Sequence, residues 1–506
     1  MRKIVVTILI IMICMTLMSC DYLGFDLNDL IGTLPDVDQT TTHTHEFGEW
    51  KIVREASDLE EGLKERTCAC GEKETCTIEK NYVSEGLEFK LNQDGEGYYV
   101  SGIGSCTDTD IVIPGMYNGL PITAIGKEAF KGNTTITSLT TGSSVSLIES
   151  YAFCECTSLK NLILSDSLVT IQEYAFMNCF ALTDLYGGIG FKNFSLTSFY
   201  YCASLANIVA DEQNPYYTSI DGNIYDKSVS TLIRYGAGKS ATHFEIPDTV
   251  KTIGDQALYG ATHLTNVTIP DSVRSIGSSA FSNCTGLTSI TIPDSVISVD
   301  TWAFGHCSSL ETVHISSSIA KISDYAFANC KSLMSVTIPD GVTSIGKNAF
   351  SSCDSLTSVI IPNSVTSIGQ AAFGWCDSLE SVTIFDGTIS IGAEAFYSCP
   401  RLKSVTIPKT VTSIGFEAFA YCYNLASVTI LGEITNIERS TFYVCESLTT
   451  VVIPDSVSSI SWCAFSGCSA LTDVYFTGSE VQWNQVVIEY GNEYLDYANV
   501  QYNYIP

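Results

Sequence analysis

Charge is scarce in this chain, and positive charge scarcest. Asp, Glu, Lys and Arg make up 16% of the 506 residues, with 25 Lys and Arg against 55 Asp and Glu, a formal net charge of −30. Such a polyanion is repelled by nucleic acid and by anionic lipid head groups, which excludes both as electrostatic partners. His is nearly as rare, with six in the chain. Neither H-E-x-x-H nor G-x-S-x-G occurs. Gly236-Ala-Gly238-Lys239-Ser240 imitates the end of a phosphate loop, but the Gly required five places before Gly238 is Ile233. His306 and His314 lie singly in a repetitive background and read as surface substitutions rather than bases. No catalytic residue, cofactor or metal is therefore predicted, and the chain does not read as an enzyme.

Apolar residues are abundant at 45%, enough to build a large interior and to exclude disorder along the whole length. A chain this long divides into domains unless it is a repeat array growing in one dimension. The repeat is plain. Phe130, Phe153, Phe176 and Phe199 are spaced by 23, and the series resumes with Phe281, Phe304, Phe327, Phe350, Phe373, Phe396, Phe419, Phe442 and Phe465. Leu258 holds the same phase one step before Phe281. A Leu ladder from Leu287 to Leu471 and a Cys ladder from Cys284 to Cys468 keep the same step.

The unit running from Leu356 to Cys376 shows what each position is for. Val359 and Ile361 are two apart and point to one face of a short strand. Pro362-Asn363 ends the strand in a turn. Val365 and Ile368 supply a second inward pair, and Gly369 permits the corner that follows. Ala372 and Phe373 anchor a helical or irregular outer segment, and Cys376 returns the chain to the next Leu. A single unit of 23 residues cannot bury these side chains, whereas stacked copies can.

This pattern resembles the BspA-like class of bacterial leucine-rich repeats, L-x-x-V-x-I-P-x-S-V-x-x-I-G-x-x-A-F-x-x-C, over roughly residues 87–475. The lead-in also fits, with Gly102-Ile-Gly-Ser-Cys106 and Ile111-Val-Ile-Pro114; Phe191–Ala206 and Leu431–Phe442 match more loosely. The resemblance implies an α/β-type repeat solenoid with short parallel strands, about fourteen coils and roughly 65 Å long at ~4.8 Å per coil. It also implies adhesion to extracellular proteins or glycans. A glycan-capture lipoprotein and a structural surface-layer spacer remain as alternatives, since fold alone does not establish function.

The N-terminus resembles a bacterial lipoprotein signal. Arg2 and Lys3 precede the apolar run Ile4 to Ile13, and Leu17-Met18-Ser19-Cys20 places a small residue just before a Cys. The run is short for a membrane span. Lipid on Cys20 would anchor the chain at a membrane surface without crossing it, an exported, cell-surface location. The expected organisation is then signal peptide 1–19, flexible tether 20–45, small β-module 46–83, solenoid 84–475 and C-terminal cap 476–506. The cap would use Trp483, Ile488, Leu495 and Ile505. The β-module resembles those near the N-termini of bacterial surface proteins. Its Cys68-x-Cys70, with Cys76, His43 and His45, departs from the C-x₂-C spacing of zinc knuckles, so a spacer is the preferred reading.

Between Phe199 and Leu258 lie 59 residues where two units need 46. This long unit, about 200–257, carries Ile220-Asp221-Gly222-Asn223-Ile224, which reads as a hairpin turn. Of the 20 Cys, three (Cys156, Cys179, Cys202) and the nine from Cys284 to Cys468 occur once per unit. They are expected as free, buried, stacked thiols rather than disulfides.

Departures from the repeat mark candidate contacts. The residue between Val and Ile of the strand faces solvent on the concave side and is usually Thr, as at Thr268, Thr291 and Thr337. It becomes Tyr186, His314, Ile360, Val452 and Tyr475 elsewhere, and the Pro after the strand becomes Phe385 and Leu431. Exposed apolar and aromatic groups on a Thr/Ser surface suit a protein or sugar partner, with Tyr186 and Tyr475 the suspects for a glycan. Trp302, Trp375 and Trp462 fall near the outer turn and are expected to pack between coils.

Overall fold

The computed structural model describes residues 51–54, 62–67, 73–78 and 83–506. Cys20, the signal and tether segments, His43, His45, Cys68 and Cys70 lie outside the described residues. The first of two units contains a three-stranded antiparallel sheet of Lys51–Arg54, Gly62–Thr67 and Lys73–Ile78. Cys76 falls on the third strand, opposite Lys64.

The second unit is a solenoid of parallel strands, with the 23-residue period as its register. Each regular coil gives one strand of two to four residues, such as Ser358–Ile361, and a second of two, such as Ser367–Ile368. Partners across coils are repeat equivalents: Ser358 pairs Ser381 and Ile368 pairs Ile391. Val359, Ile361, Val365 and Ile368 all point into the core, because alternate strand residues face one side. The turn between the strands is closed by the Val365 N–H, which donates to the Pro362 carbonyl at 3.1 Å. At the following corner an added Cβ on Gly369 would lie 2.6 Å from the Gly346 carbonyl carbon, so adjacent coils could not approach with a larger residue there.

The third side of the coil is a run of turns rather than a helix, and its hydrogen bonds explain why. The N–H groups of Tyr325, Phe327 and Asn329 donate to the Lys347, Ala349 and Ser351 carbonyls of the next coil, each at 2.8 Å. Those of Ala326, Ala328 and Cys330 donate back to Ser323, Tyr325 and Phe327 within their own coil. Alternating donors that leave the coil cannot close i to i−4 bonds. Tyr325 and Asn329 adopt the left-handed conformation, φ 58° and 61°, to aim their N–H groups forward. Such residues cost energy locally and persist because the intercoil bonds hold them.

The Cys ladder completes this scheme. Each thiol of the twelve donates to the carbonyl of the residue 26 positions earlier, at 3.1–3.4 Å, usually the Phe of the preceding coil. The Phe304 carbonyl, for example, receives the Cys307 N–H from its own coil and the Cys330 thiol from the next. The thiol therefore fills the carbonyl's second lone pair as well as packing volume. These cysteines are unbridged. The Phe rings stack beside them, with centroids 5.3 Å apart for Phe304–Phe327, Phe327–Phe350 and Phe350–Phe373 and planes within 8° of parallel.

In the long unit, Tyr217–Ile220 and Asn223–Asp226 form an antiparallel hairpin. Its turn residues Asp221 and Gly222 are both left-handed, φ 48° and 71°. Thr231–Arg234 then pairs antiparallel with the hairpin and parallel with Thr252–Ile253, which restores the coil direction. At the C-terminal end Val487–Ile488 and Asn499–Gln501 continue the two ladders. Leu495 is buried there, and Trp483 meets Phe476 edge-on at 5.1 Å. Ile488 and Ile505 are exposed instead of covering the core; Ile488 lies on the last strand of the second ladder, and Ile505 is next to last in the chain.

Two predictions follow from the stack. Burial pushes the Cys284, Cys330, Cys376, Cys422 and Cys468 thiols up to about 12. In the unfolded chain they ionise near pH 8.5, so above that pH the unfolded state binds fewer protons and stability falls as pH rises. The melting temperature should decline from about pH 8.5 upward and ladder thiols should resist Ellman's reagent until unfolding; a flat profile with rapid labelling would contradict this. Phe350→Ala removes a ring stacked on both sides and should cost about 3–5 kcal/mol by urea denaturation. Ile360→Thr should stay within about 0.5 kcal/mol.

Candidate binding groove

After the long unit the first-strand ladder is interrupted at two places, after Ser335–Val336 and again between Ser381–Ile384 and Ser404–Ile407. His243–Glu245 through Ser335–Val336 form one sheet, and Ser358–Ile361 begins another with Ser381–Ile384. The second-strand ladder runs unbroken beside both breaks, from Lys321–Ile322 through Ser344–Ile345 and Ser367–Ile368 to Ser413–Ile414. The coils thus stay stacked across the first break, where the Thr357 N–H still donates to the Met334 carbonyl at 3.3 Å.

The first break forms part of an open cavity of about 490 Å³, within the range of small-ligand clefts. Val336, Ile338 and Val359 give it an apolar floor. Ile360 and Phe385 line it with 58% and 46% of their surface exposed, against the usual preference for burying such side chains. Asp340, Asn363 and Ser364 add polar groups. The Ser364 hydroxyl is buried without a hydrogen-bond partner within the protein, as is the equivalent Ser295 hydroxyl three coils earlier, so this belongs to the turn rather than to the groove.

Phe385 has a structural reason as well. Its N–H donates to the Ile361 carbonyl at 3.1 Å, and the Leu431 N–H donates likewise to Ile407 at 2.9 Å. The Pro usual at this position could not make that bond. Loss of Pro therefore adds one intercoil hydrogen bond at the end of the strand.

Of the predicted contact residues, the structure brings Ile360 and Phe385 together in the groove. His314 is exposed in register with Thr291 on the sheet that ends beside the break. Leu431 is exposed but lies in a later coil, and Tyr186 is exposed on a separate sheet before the long unit. Tyr475 is half-buried, its ring packed on Tyr504 at 4.7 Å. Val452 is a correction: expected at the surface, it is 7% exposed. It is flanked in register by Thr429 and the larger Tyr475, whose ladder the C-terminal strand extends.

The Trp expectation also divides. Trp302 stacks on Tyr325 at 4.3 Å, but Trp375 and Trp462 are 39% and 49% exposed. They belong to an aromatic row on the turn side that sequence reasoning missed. Trp375, Tyr397, Tyr421 and Tyr443 follow one another at 5.2–5.4 Å, and the last three line a cavity of about 290 Å³ with Trp462 and Glu417. The signal was available as aromatics at the two variable positions between Phe and Cys.

Comparison with known proteins agrees with this geometry. The family model for the BspA type leucine rich repeat region matches in six copies, over residues 123–235, 233–357 and 343–472. A leucine-rich repeat protein from Bacteroides ovatus shares 24% identity with a TM-score of 0.55, over 83% of this chain and 99% of that one. A leucine rich cell surface protein from Faecalibacterium prausnitzii shares 26% identity with a TM-score of 0.46, over 81% and 98%. No curated protein matches. The matched residues span more than half of the chain, which belongs to the BspA-type leucine-rich-repeat family.

Proposed function

We propose that this chain is a bacterial cell-surface recognition protein that binds extracellular proteins or glycans through the strand face of its solenoid and catalyses nothing. BspA-type repeat proteins are bacterial surface and adhesion-type proteins, and the lipoprotein-like N-terminus accords with anchoring through Cys20. The observation that carries the reading is the groove at the broken ladder. There two departures from the repeat, Ile360 and Phe385, leave apolar surface exposed above an apolar floor. Exposed apolar groups clustered over a polar rim are the usual anatomy of a recognition site. Tyr186 and Tyr475 lie on different sheets, which weighs against a single glycan site built from that pair.

The test is binding of residues 21–506 to arrays of extracellular-matrix proteins and glycans. Covering either side chain is worth about 1.5–3 kcal/mol, so Ile360→Thr or Phe385→Ser should weaken binding at least about tenfold without loss of the fold. Leu431→Ser, outside the groove, should change it little. No saturable binding by folded protein would favour a structural spacer. Binding indifferent to Ile360 and Phe385 would remove the groove from the account.

A further inference from the structure

The long unit holds a buried cation that the solenoid does not use. Arg234, at the end of the strand Thr231–Arg234, is 5% exposed. Burying a charge is costly unless it is paired. Its Nη1 donates to the Gln256 carbonyl at 3.2 Å, and no ion pair involves it among the described residues. Burial works against its charge, and its ionisable neighbours are the Cys202 thiol and the Tyr200 and Tyr259 phenols, none a carboxylate. In a chain with 55 Asp and Glu, an arginine buried away from all of them leaves its anion to come from outside.

The surroundings are shaped to receive one. Arg234 lines an open cavity of about 190 Å³, with Phe199, Cys202 and Ala237 as its buried floor. Tyr201, 57% exposed, and Tyr259, whose ring is stacked on Tyr200 at 5.2 Å, add aromatic surface, and Asn283 and Thr285 supply polar groups. Burial pushes the Tyr259 phenol up to about 12, so its hydroxyl stays protonated and able to donate. The volume falls below that of clefts for drug-sized ligands, which suits one ring rather than a polymer segment.

We propose that this cavity binds an acidic monosaccharide unit, its carboxylate held by the Arg234 guanidinium and its ring against Tyr201 and Tyr259. A planar guanidinium matches a carboxylate with two parallel bonds. The tyrosine rings cover the apolar C–H side of a pyranose, and Asn283 and Thr285 meet its hydroxyls. The site is formed by the long unit and the two coils after it, separate from the groove at Ile360 and independent of it.

The experiment is calorimetric titration of residues 21–506 with glucuronic acid and N-acetylneuraminic acid, with glucose, N-acetylglucosamine and sodium acetate in parallel. Saturable binding of at least one sugar acid is expected. It should weaken about tenfold or more in Arg234→Met and in Tyr201→Ala, and be unchanged in Thr406→Ala, an exposed position outside both cavities. Thermal melts establish that each variant is folded; should Arg234→Met fail to fold, the exposed Tyr201→Ala decides. Failure of both sugar acids to bind, equal binding by the neutral sugars, or binding that survives Arg234→Met would overturn the proposal. Acetate binding as tightly as the sugar acids would overturn the sugar assignment.

Discussion

Every coil of this solenoid satisfies its backbone groups on its two neighbours, and the other features of the array depend on that exchange. Turn-segment N–H groups such as that of Phe327 donate to the next coil, whereas those of Gly346 and Gly369 beside the second strand donate to the preceding one. The Cys thiol closes a bond that the backbone cannot, onto a Phe carbonyl already used once. Because each kind of bond recurs at its own fixed spacing, 26 residues for the thiols, the period admits no slippage. A coil of 22 or 24 residues would put each Phe, Cys and Leu out of step with its partner. Insertion is tolerated where the chain leaves the ladder altogether, as the hairpin at Tyr217–Asp226 does.

That constraint divides the residues into two kinds. Phe350, Cys353 and Val359 are fixed by what lies above and below them, and all are buried. The residue between the strand's inward pair keeps its backbone in the ladder and points its side chain away from the core, so its identity is free for other uses except where neighbours cover it, as at Val452. Ile360 occupies such a position where the ladder also opens, which gives an exposed apolar group a cavity beside it. The chain's acidity acts over the same surface, keeping a long, largely uncharged stack soluble and discouraging indiscriminate partners.

The fold was legible in the sequence because periodicity reports contacts directly. Phe at every twenty-third position could only mean Phe on Phe, and the inward pairs of Val359, Ile361, Val365 and Ile368 followed from strand geometry. Less was legible where the outcome depended on neighbours outside the period. Val452 reads like Ile360 in its own coil, and only the adjoining Tyr475 and the C-terminal strand explain its burial. The break between Ser335–Val336 and Ser358–Ile361 has no marker in the motif. Arg234 was passed over because the register that buries it belongs to the hairpin, not to the repeat. The donor role of cysteine was hidden for a different reason, since its small apolar bulk already accounted for its place in the column.

The most direct test of recognition at the broken ladder is site-specific photo-crosslinking on the full chain. A benzophenone side chain would replace Ile360 in one protein and Thr406, an exposed strand position outside the groove, in another. Each would be illuminated with matrix proteins and glycans present. The account predicts a discrete adduct from position 360 and little from position 406. Equal yields at both positions, or none at 360 from folded protein, would contradict it.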